Sequence, residues 1–266
     1  MQGRSMRGLM VLFAAFAVTV SLAAAEEAAG EHGEKGEAAG VNWQEWTAGN
    51  EVSNTASLQR GAANFVNYCM GCHSLKYMRY ERMANDLHIS LDQLRSSLIP
   101  TDAKPADYML SSFPMADAET WFGKPPPDLS LVARYRGTDW ITRFLKGFYV
   151  DASRPTGTNN LALDGASMPA VLSDLEGVKV AVFAEHEAAG GAHAGKFVER
   201  FDYIADGRLK PAEFDAFVRD TVNFLDYVGE PSQVQRRSIG LWVVLFLLVF
   251  TGFAWFLKKE YWKDVR

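Results

Sequence analysis

Five consecutive residues, Cys69-Met70-Gly71-Cys72-His73, carry the most chemically specific pattern in the chain. Cys69 and Cys72 are the only cysteines among the 266 residues of the sequence. Two thiols at this spacing can each form a thioether to a vinyl group of one haem, and the adjacent histidine can bind the iron as an axial ligand. The pattern therefore predicts one covalently bound haem c.

Three other uses of a closely spaced cysteine pair have to be weighed against haem attachment. A disulfide would close a very small and strained loop. A thioredoxin-like redox pair is typical of a βαβ setting, which the sequence does not indicate. A zinc site requires further ligands, and the chain has no second cysteine pair. We favour haem attachment over all three.

A haem iron bound by His73 needs a sixth ligand or leaves that position open. Methionine is the usual choice for electron transfer, because its soft thioether favours ferrous iron and raises the reduction potential. Three of the nine methionines remain as candidates: Met109, Met115 and Met168. We favour Met168, since Gly165 before it and Pro169 after it make a rigid, non-helical loop. Met115 comes next, and core packing is the ordinary role of any one methionine.

A helix is expected to lead directly into the cysteine motif. Apolar residues recur at helical spacing over residues 58–69, which predicts one apolar helical face. Ser53 or Ser57 would cap this helix. Gly61 lies on the apolar face and would let another helix approach closely.

A second amphipathic helix is expected near the end of the same domain. Its apolar stripe covers residues 214–228, with Pro211 in the first turn and Gly229 and Pro231 at the stop. One helix before the haem motif and one near the domain's end are typical of small haem c domains. We therefore predict a mainly α, cytochrome c-like haem domain with long loop insertions.

The N-terminus has the three parts of a secretory signal peptide. Arg4 and Arg7 form a positive region, residues 9–20 are apolar, and Ala23 to Ala25 offer a small-residue cleavage site. The apolar run is too short to span a membrane well. We predict a signal peptide over residues 1–25, which agrees with attachment of haem outside the bacterial inner membrane.

The C-terminus carries a second membrane segment. Residues 239–257 are nineteen uncharged residues, which span about 28 Å as a helix. We predict a transmembrane helix over residues 238–257 and a tail over residues 258–266. Lysines at 258, 259 and 263 put this tail in the cytoplasm by the positive-inside rule. The predicted protein is thus a single-pass protein of the bacterial inner membrane with its haem domain in the periplasm.

The chain between the signal peptide and the anchor is acidic. Residues 26–237 contain 21 basic and 30 acidic residues, a net charge of −9. This charge argues against nucleic acid as a partner and is suited to steering a basic one. Residues 26–50 are predicted to be a flexible N-terminal segment, residues 51–237 the haem domain, and residues near 184–197 a flexible insert within it.

Several motifs in order along the chain resemble those of the cytochrome c1 family. After the cysteine motif come Pro126-Pro127-Asp128-Leu129-Ser130, then Arg134-x-Arg136, then Arg154-Pro155-Thr156-Gly157-x-Asn159-Asn160, then Met168-Pro169, and last a single anchor. The resemblance covers essentially the whole mature chain, and the Pro-Pro-Asp-Leu-Ser stretch is highly characteristic of this family.

The resemblance implies a role for each matching residue. Cys69 and Cys72 would carry the haem, and His73 and Met168 would be its proximal and distal ligands. Arg136 would lie near a haem propionate, where arginine pairs bidentately with a carboxylate. Two further haem-binding candidates are Arg134, the neighbour of Arg136, and Pro127, which would wall the haem edge with a stiff backbone.

The resemblance also implies a function, namely electron transfer within the quinol–cytochrome c oxidoreductase (bc1) complex. The donor would be the Rieske iron–sulfur protein and the acceptor a soluble or membrane-bound cytochrome c. Quinol chemistry would occur in cytochrome b, so the chain would have no substrate-converting site of its own. Two alternatives stay open at this point. One is a membrane-tethered cytochrome c that serves a terminal oxidase or a periplasmic dehydrogenase, and the other is a haem protein with an open sixth position.

Overall fold

The computed structural model describes residues 40–184 and 197–264, and its regular structure is mostly helical. The helices in these residues are α1 (Thr55–Tyr68), α2 (Tyr80–Asp86), α3 (Leu91–Ser97), α4 (Met115–Phe122), α5 (Val132–Arg136), α6 (Thr138–Lys146), α7 (Ser173–Glu176), α8 (Pro211–Gly229) and α9 (Gln233–Tyr261). The strands are β1 (Leu75–Arg79), β2 (Tyr108–Met109), β3 (Phe148–Val150), β4 (Thr158–Asn160), β5 (Gly177–Phe183) and β6 (Val198–Asp206). The predicted mainly α fold class is confirmed.

Helices α1 and α8 form the centre of the core, because their apolar faces pack against each other. Phe65 and Phe224 are fully buried, and their ring centroids are 5.8 Å apart. A Cβ atom at Gly61 would lie 2.0 Å from the carbonyl oxygen of Asp220, so this helix spacing requires glycine. The two predicted helices and the close approach at Gly61 are confirmed.

The cap of α1 differs from the expectation. Asn54, rather than Ser53 or Ser57, accepts a hydrogen bond from the backbone N–H of Ser57, at 3.1 Å. Ser57 is buried instead, and its hydroxyl donates to the carboxylate of Asp220 at 2.6 Å. A buried hydroxyl needs a partner, and Asp220 on α8 provides it.

Asp220 is the centre of a polar cluster between α1 and α8. Besides Ser57, its carboxylate accepts from Arg60, whose Nε lies 2.5 Å away. Asn223 is fully buried and donates to Ser57 Oγ at 2.9 Å and to the carbonyl of Glu51 at 2.8 Å. Because these buried groups satisfy one another, the cluster fixes how the two helices align.

Three two-stranded antiparallel sheets accompany the helices: β1 with β2, β3 with β4, and β5 with β6. None of them was predicted from the sequence, and strands β1 to β4 are too short for alternating residues to be recognised. In the second sheet Phe148 lies opposite Asn160 and Val150 opposite Thr158. The predicted insert lies between β5 and β6, and its residues 185–196 are outside the described residues.

Residues 40–50, which the sequence analysis assigned to the flexible segment, pack on the domain. The N–H of Val41 donates to the carbonyl of Val198 at 2.7 Å, and Trp43 packs against the buried cluster that contains Val198. The N–H of Ala48 donates to the carboxylate of Asp139 at 2.8 Å. Apolar side chains at 41 and 43 give this stretch contacts of its own. Residues 1–39, which include the predicted signal peptide, lie outside the described residues.

The last helix, α9, is 29 residues long, and its apolar window is not buried against the rest of the chain. Its length and composition are sufficient to cross a membrane. It extends the predicted span of residues 238–257 at both ends, with Lys258 and Lys259 in its last turn. Residues 265–266 of the predicted tail are outside the described residues.

Candidate haem site

The cysteine motif continues α1 by one further turn. The backbone N–H groups of Cys72 and His73 both donate to the carbonyl of Cys69, at 3.1 and 2.9 Å. All three side chains are partly buried. Local backbone geometry therefore brings both thiols and the imidazole to the end of one helix, in the segment from residue 69 to residue 77 that we call the proximal segment.

The imidazole of His73 is oriented by a residue distant in the sequence. Its Nδ1 lies 2.7 Å from the backbone carbonyl oxygen of Pro127. A carbonyl only accepts hydrogen bonds, so Nδ1 carries the proton and Nε2 keeps the lone pair that binds a metal. Burial lowers the pKa of His73, opposed by the bond to Pro127 and by the charge of Asp128. The ring is thus held in the neutral form that acts as a ligand.

The stretch around Pro127 is fastened to the proximal segment by the next three residues, Asp128, Leu129 and Ser130. The carboxylate of Asp128 accepts from the N–H of Lys76 at 2.8 Å and from the N–H of Ser130 at 3.0 Å. The N–H of Leu129 donates to the carbonyl of Ser74 at 3.0 Å. The fully buried Ser130 accepts from the N–H of Tyr77 at 3.2 Å. These bonds hold the Pro127 carbonyl against His73, which gives the Pro-Pro-Asp-Leu-Ser motif a physical role.

The environment of the two thiols favours haem attachment over the three other uses of the pair. Both cysteines are free, so they form no disulfide. Burial, followed by the charge of Cys72, raises the pKa of Cys69 to about 12, and burial raises the pKa of Cys72. A redox-active pair requires a lowered thiol pKa. Within residues 40–184 and 197–264, no three metal-ligating side chains cluster as zinc would require.

The two arginines of the Arg134-x-Arg136 motif lie on α5 and have different neighbours. The guanidinium of Arg136 is exposed and stacks 4.7 Å from the ring centre of Trp140. Among the described residues, no carboxylate lies within ion-pairing distance of it. Arg134 instead forms an ion pair with Glu230 at 3.2 Å. Arg136 is therefore the arginine with free donors for a haem propionate, and the assignments of both residues stay predictions.

Met168 lies in the loop that follows β4, and residues 161–168 are called the distal loop from here on. The residue is partly buried and precedes Pro169. Of the other two candidates, Met109 is fully buried in the core opposite Leu75, and Met115 begins α4. Core packing thus accounts for Met109, while the role of Met168 as a ligand stays a prediction.

Two neighbouring asparagines organise the distal loop. Asn159 is 1% exposed, and its side-chain oxygen accepts from the N–H of Gly165 at 2.9 Å. Asn160 is also 1% exposed, and its side-chain oxygen accepts from the N–H groups of Ala162 and Leu163 at 2.9 and 3.2 Å. Both asparagines belong to a motif recognised in the sequence. Their role in the loop was not predicted, because their hydrogen-bond partners become visible only in the folded chain.

A separate cavity of about 300 Å³ lies beside the distal loop. Its lining includes Phe148, Thr158, Pro169 and Lys179. Lys179 is 3% exposed and forms a buried ion pair with Glu176. None of the predicted haem-binding residues lines this cavity, so it is distinct from the haem site.

The residues at the proximal segment fit haem c. Cys69 and Cys72 are unbridged thiols on one turn, and His73 presents a free Nε2 whose orientation is fixed. Met168 as a soft sulfur ligand and Arg136 as a propionate partner stay predictions. Fold and site together define a membrane-anchored protein that carries covalent haem c.

Comparison with known proteins agrees with this class. A sequence model described as the Cytochrome C1 family matches residues 46–265. The chain is 48% identical to "Cytochrome c1" of Allochromatium vinosum over 81% of this chain and 87% of that protein. It is 42% identical to the "Ammonia monooxygenase gamma subunit" of Nitrosomonas europaea, over 79% of this chain and 84% of that protein. It is 28% identical to "Cytochrome c1" of Rhodospirillum rubrum, over 79% of this chain and 82% of that protein.

The chain belongs to the cytochrome c1 family, the haem electron-transfer subunits of the bc1 complex, whose members carry covalently bound haem c. The resemblance drawn from the sequence motifs is confirmed. Membership makes the chain a subunit of a membrane-anchored redox complex.

Proposed function

We propose that this chain passes single electrons from the Rieske iron–sulfur protein to a cytochrome c, through a haem c attached to Cys69 and Cys72 with His73 and Met168 as axial ligands. The observation that carries the proposal is the 2.7 Å contact between His73 Nδ1 and the Pro127 carbonyl oxygen. This contact fixes the orientation of the ring and leaves Nε2 free to bind iron. The haem, when bound, supplies a one-electron iron couple.

The residues of the chain bind and tune this couple and carry out no bond-making step. Pro127 keeps the proton on Nδ1 of His73, so that the ring binds in one orientation. Arg136 would pair with a propionate and reduce the cost of burying its charge. Met168 would supply a soft thioether that favours the reduced state. Quinol oxidation belongs to the cytochrome b partner, and this chain has no substrate-converting site of its own.

The test is a reduced-minus-oxidised spectrum of the tagged chain, purified from membranes in mild detergent. A c-type band with stoichiometric b-type bands is the expected result, because the chain then travels with cytochrome b. A c-type band alone contradicts the proposal if quinol–cytochrome c reductase activity stays in the membrane fraction from which the chain was removed. That result favours the tethered cytochrome c.

The ligand assignment is tested separately with Met168→Ala. Loss of the thioether opens the sixth position, so the ferrous protein is expected to bind carbon monoxide at neutral pH and its reduction potential to fall. Unchanged spectra in this variant contradict the assignment of Met168. Carbon monoxide binding by the unmodified protein contradicts a six-coordinate haem altogether.

We also propose that the haem domain faces the periplasm and the C-terminus the cytoplasm of a bacterial inner membrane. Lysines at 258, 259 and 263 after the apolar run support this orientation by the positive-inside rule. A C-terminal tag is expected to be protected from protease in spheroplasts and cleaved in inverted vesicles. The reverse pattern contradicts the proposed orientation.

A further inference from the structure

The side chain of Asn159 has every hydrogen-bonding position filled, although it is 1% exposed. Its nitrogen donates to Asp151 Oδ2 at 3.0 Å and to Asp164 Oδ1 at 2.9 Å. Its oxygen accepts from the N–H of Asn160 at 2.8 Å and from the N–H of Gly165 at 2.9 Å. A side-chain amide offers two donors and two acceptors of this kind, so Asn159 is fully satisfied.

Two of these bonds, to Asp164 and from Gly165, join β4 to the distal loop, and the bond to Asp151 joins β4 to the end of β3. Asp151 lies just after β3, at the base of the loop, while Gly165 lies three residues before Met168. Gly165 has a φ of +71°, a conformation in which a side chain is strained. The turn that leads to Met168 is thus closed by a single side chain from β4.

Contacts from outside support the same turn. Arg154 forms an ion pair with Asp164 at 3.0 Å. The neighbouring Asn160 donates to the carbonyl of Phe144 at 2.7 Å, which ties the start of the loop to α6. The polar framework before Met168 therefore converges on Asn159 and Asn160. Of these two asparagines, Asn159 is the one bonded to both Asp164 and Gly165.

We propose that Asn159 is the residue that positions the distal ligand, by holding residues 164–165 so that the thioether of Met168 stays on the iron. A thioether is a neutral and weak ligand, so its retention depends on a loop that cannot move away. The inference rests on the proposed function, since it takes Met168 to be the ligand.

The charges around Asn159 suggest a sharp substitution. Hydrogen bonds from the Ser153 hydroxyl, then from Asn159, hold the pKa of Asp151 at about 2, so this carboxylate is ionised at neutral pH. Asn159→Asp preserves the shape of the side chain but exchanges an amide that donates to two carboxylates for a third carboxylate. The new carboxylate would repel Asp151 and Asp164 where the amide had donated a hydrogen bond to each of them. This repulsion is expected to release the distal loop.

The experiment compares Asn159→Asp with Asn67→Asp in the purified complex. Asn67 is exposed on α1 and donates to the carbonyl of Ala63, so its substitution makes the same chemical change outside the distal loop. The readouts are the methionine-to-iron(III) charge-transfer band, carbon monoxide binding by the ferrous protein, and the reduction potential. Asn159→Asp is expected to lose most of the band, bind carbon monoxide and have a lower potential. Asn67→Asp is expected to keep the band, bind no carbon monoxide and shift the potential much less.

Two further variants keep the inference testable if Asn159→Asp does not assemble. Gly165→Ala strains the same turn from its other end and is expected to weaken the band partially. The double variant Asn159→Asp with Asp164→Asn restores an amide–carboxylate pair and is expected to recover part of the band. The inference is overturned if both single variants, Gly165→Ala and Asn159→Asp, keep the full charge-transfer band. It is also overturned if the double variant recovers none of that band.

Failure of this inference is distinguishable from failure of the proposed function. If Met168→Ala abolishes the charge-transfer band while Asn159→Asp leaves it intact, Met168 remains the ligand and Asn159 does not position it. If Met168→Ala leaves the band intact, the ligand assignment itself is wrong, and the positioning role of Asn159 falls with it.

Discussion

The proximal segment and the distal loop differ in how their predicted haem ligands are held. His73 lies one turn beyond α1, next to the two cysteines, and its ring is oriented by a backbone carbonyl. Met168 lies in a loop without regular structure, closed by the side chain of Asn159 and by the charges of Asp151 and Asp164. The predicted proximal ligand is therefore positioned by helical backbone, and the predicted distal ligand by side-chain hydrogen bonds.

This difference gives the two ligands different sensitivities. The histidine is expected to be lost only with the fold of α1, whereas the methionine is expected to be lost by local changes that leave the fold intact.

The largest effect is expected from Gly61→Val. The new Cβ would lie 2.0 Å from the carbonyl oxygen of Asp220 and 2.7 Å from Cβ of Phe224, so α1 and α8 must separate. Overpacking of this kind is expected to destabilise the protein by at least about 3 kcal/mol. The measurement is thermal unfolding of the holoprotein, with covalent haem content as a second readout.

Asn67→Val is the matched control, since it places the same side chain on the exposed face of α1. It is expected to change stability much less than Gly61→Val. Equal stability of Gly61→Val and the unmodified protein would show that the proximal side does not depend on this helix spacing.

Asp128→Ala is expected to have the next largest effect. It removes the acceptor of the N–H groups of Lys76 and Ser130, which costs about 2 kcal/mol at about 1 kcal/mol for each bond. Loss of the negative charge and a looser contact between Pro127 and His73 both raise the reduction potential. Unfolding and redox titration measure the two consequences separately.

Asp102→Ala removes the same charge from an exposed loop and serves as the control. If it raises the potential as much as Asp128→Ala does, net charge alone explains the shift. In that case the proposed fastening of Pro127 to the proximal segment has no effect on the haem.

A comparison of Arg136→Gln with Arg134→Gln sharpens the assignment of the propionate partner. Loss of a positive charge paired with a propionate favours ferric iron, so Arg136→Gln is expected to lower the potential. A tenfold change in the reduction equilibrium is about 59 mV, which is the order of magnitude expected. Arg134→Gln is expected to shift it less, because Arg134 already pairs with Glu230. A larger shift for Arg134→Gln would reverse the two roles.

The sequence was sufficient to predict the parts of the molecule that depend on local order. Helices α1 and α8 follow from apolar periodicity, and α9 follows from an uncharged run long enough for a membrane. The cysteine motif is equally local, since its three side chains lie within five residues. These features need no knowledge of which distant segments meet.

The parts that were missed all depend on distant partners. The carbonyl that orients His73 comes from a residue 54 positions away in the sequence. Asn159 and Asp128 were recognised as motif residues, but nothing in a linear pattern indicates which N–H groups their side chains bind. The sheet of β1 and β2 also depends on distant segments, since its strands are brought together by intervening helices.

The smallest effect is expected from Glu230→Gln, at the junction of α8 with the anchor helix. The carboxylate of Glu230 accepts a hydrogen bond from Nη2 of Arg236 on α9 at 3.1 Å. It also forms an ion pair with Nη1 of Arg134 on α5 at 3.2 Å. Hydrogen bonding to Arg236, aided by the charge of Arg134, lowers the pKa of Glu230. Because these arginines are largely exposed, the variant is expected to lower the melting temperature only slightly, and only at low salt.

The lowered pKa gives this small effect a defined pH dependence. A carboxylate whose pKa is lowered by folding contributes its stability above its ordinary pKa of about 4.3, and loses it as acid protonates the folded state. The difference between Glu230→Gln and the unmodified protein is therefore expected at neutral pH and should vanish in acid below the lowered pKa. Glu260→Gln, at the other end of α9, is the control. If the difference in melting temperature persists in acid or in high salt, Glu230 acts through packing. In that case charge does not join the anchor helix α9 to α5.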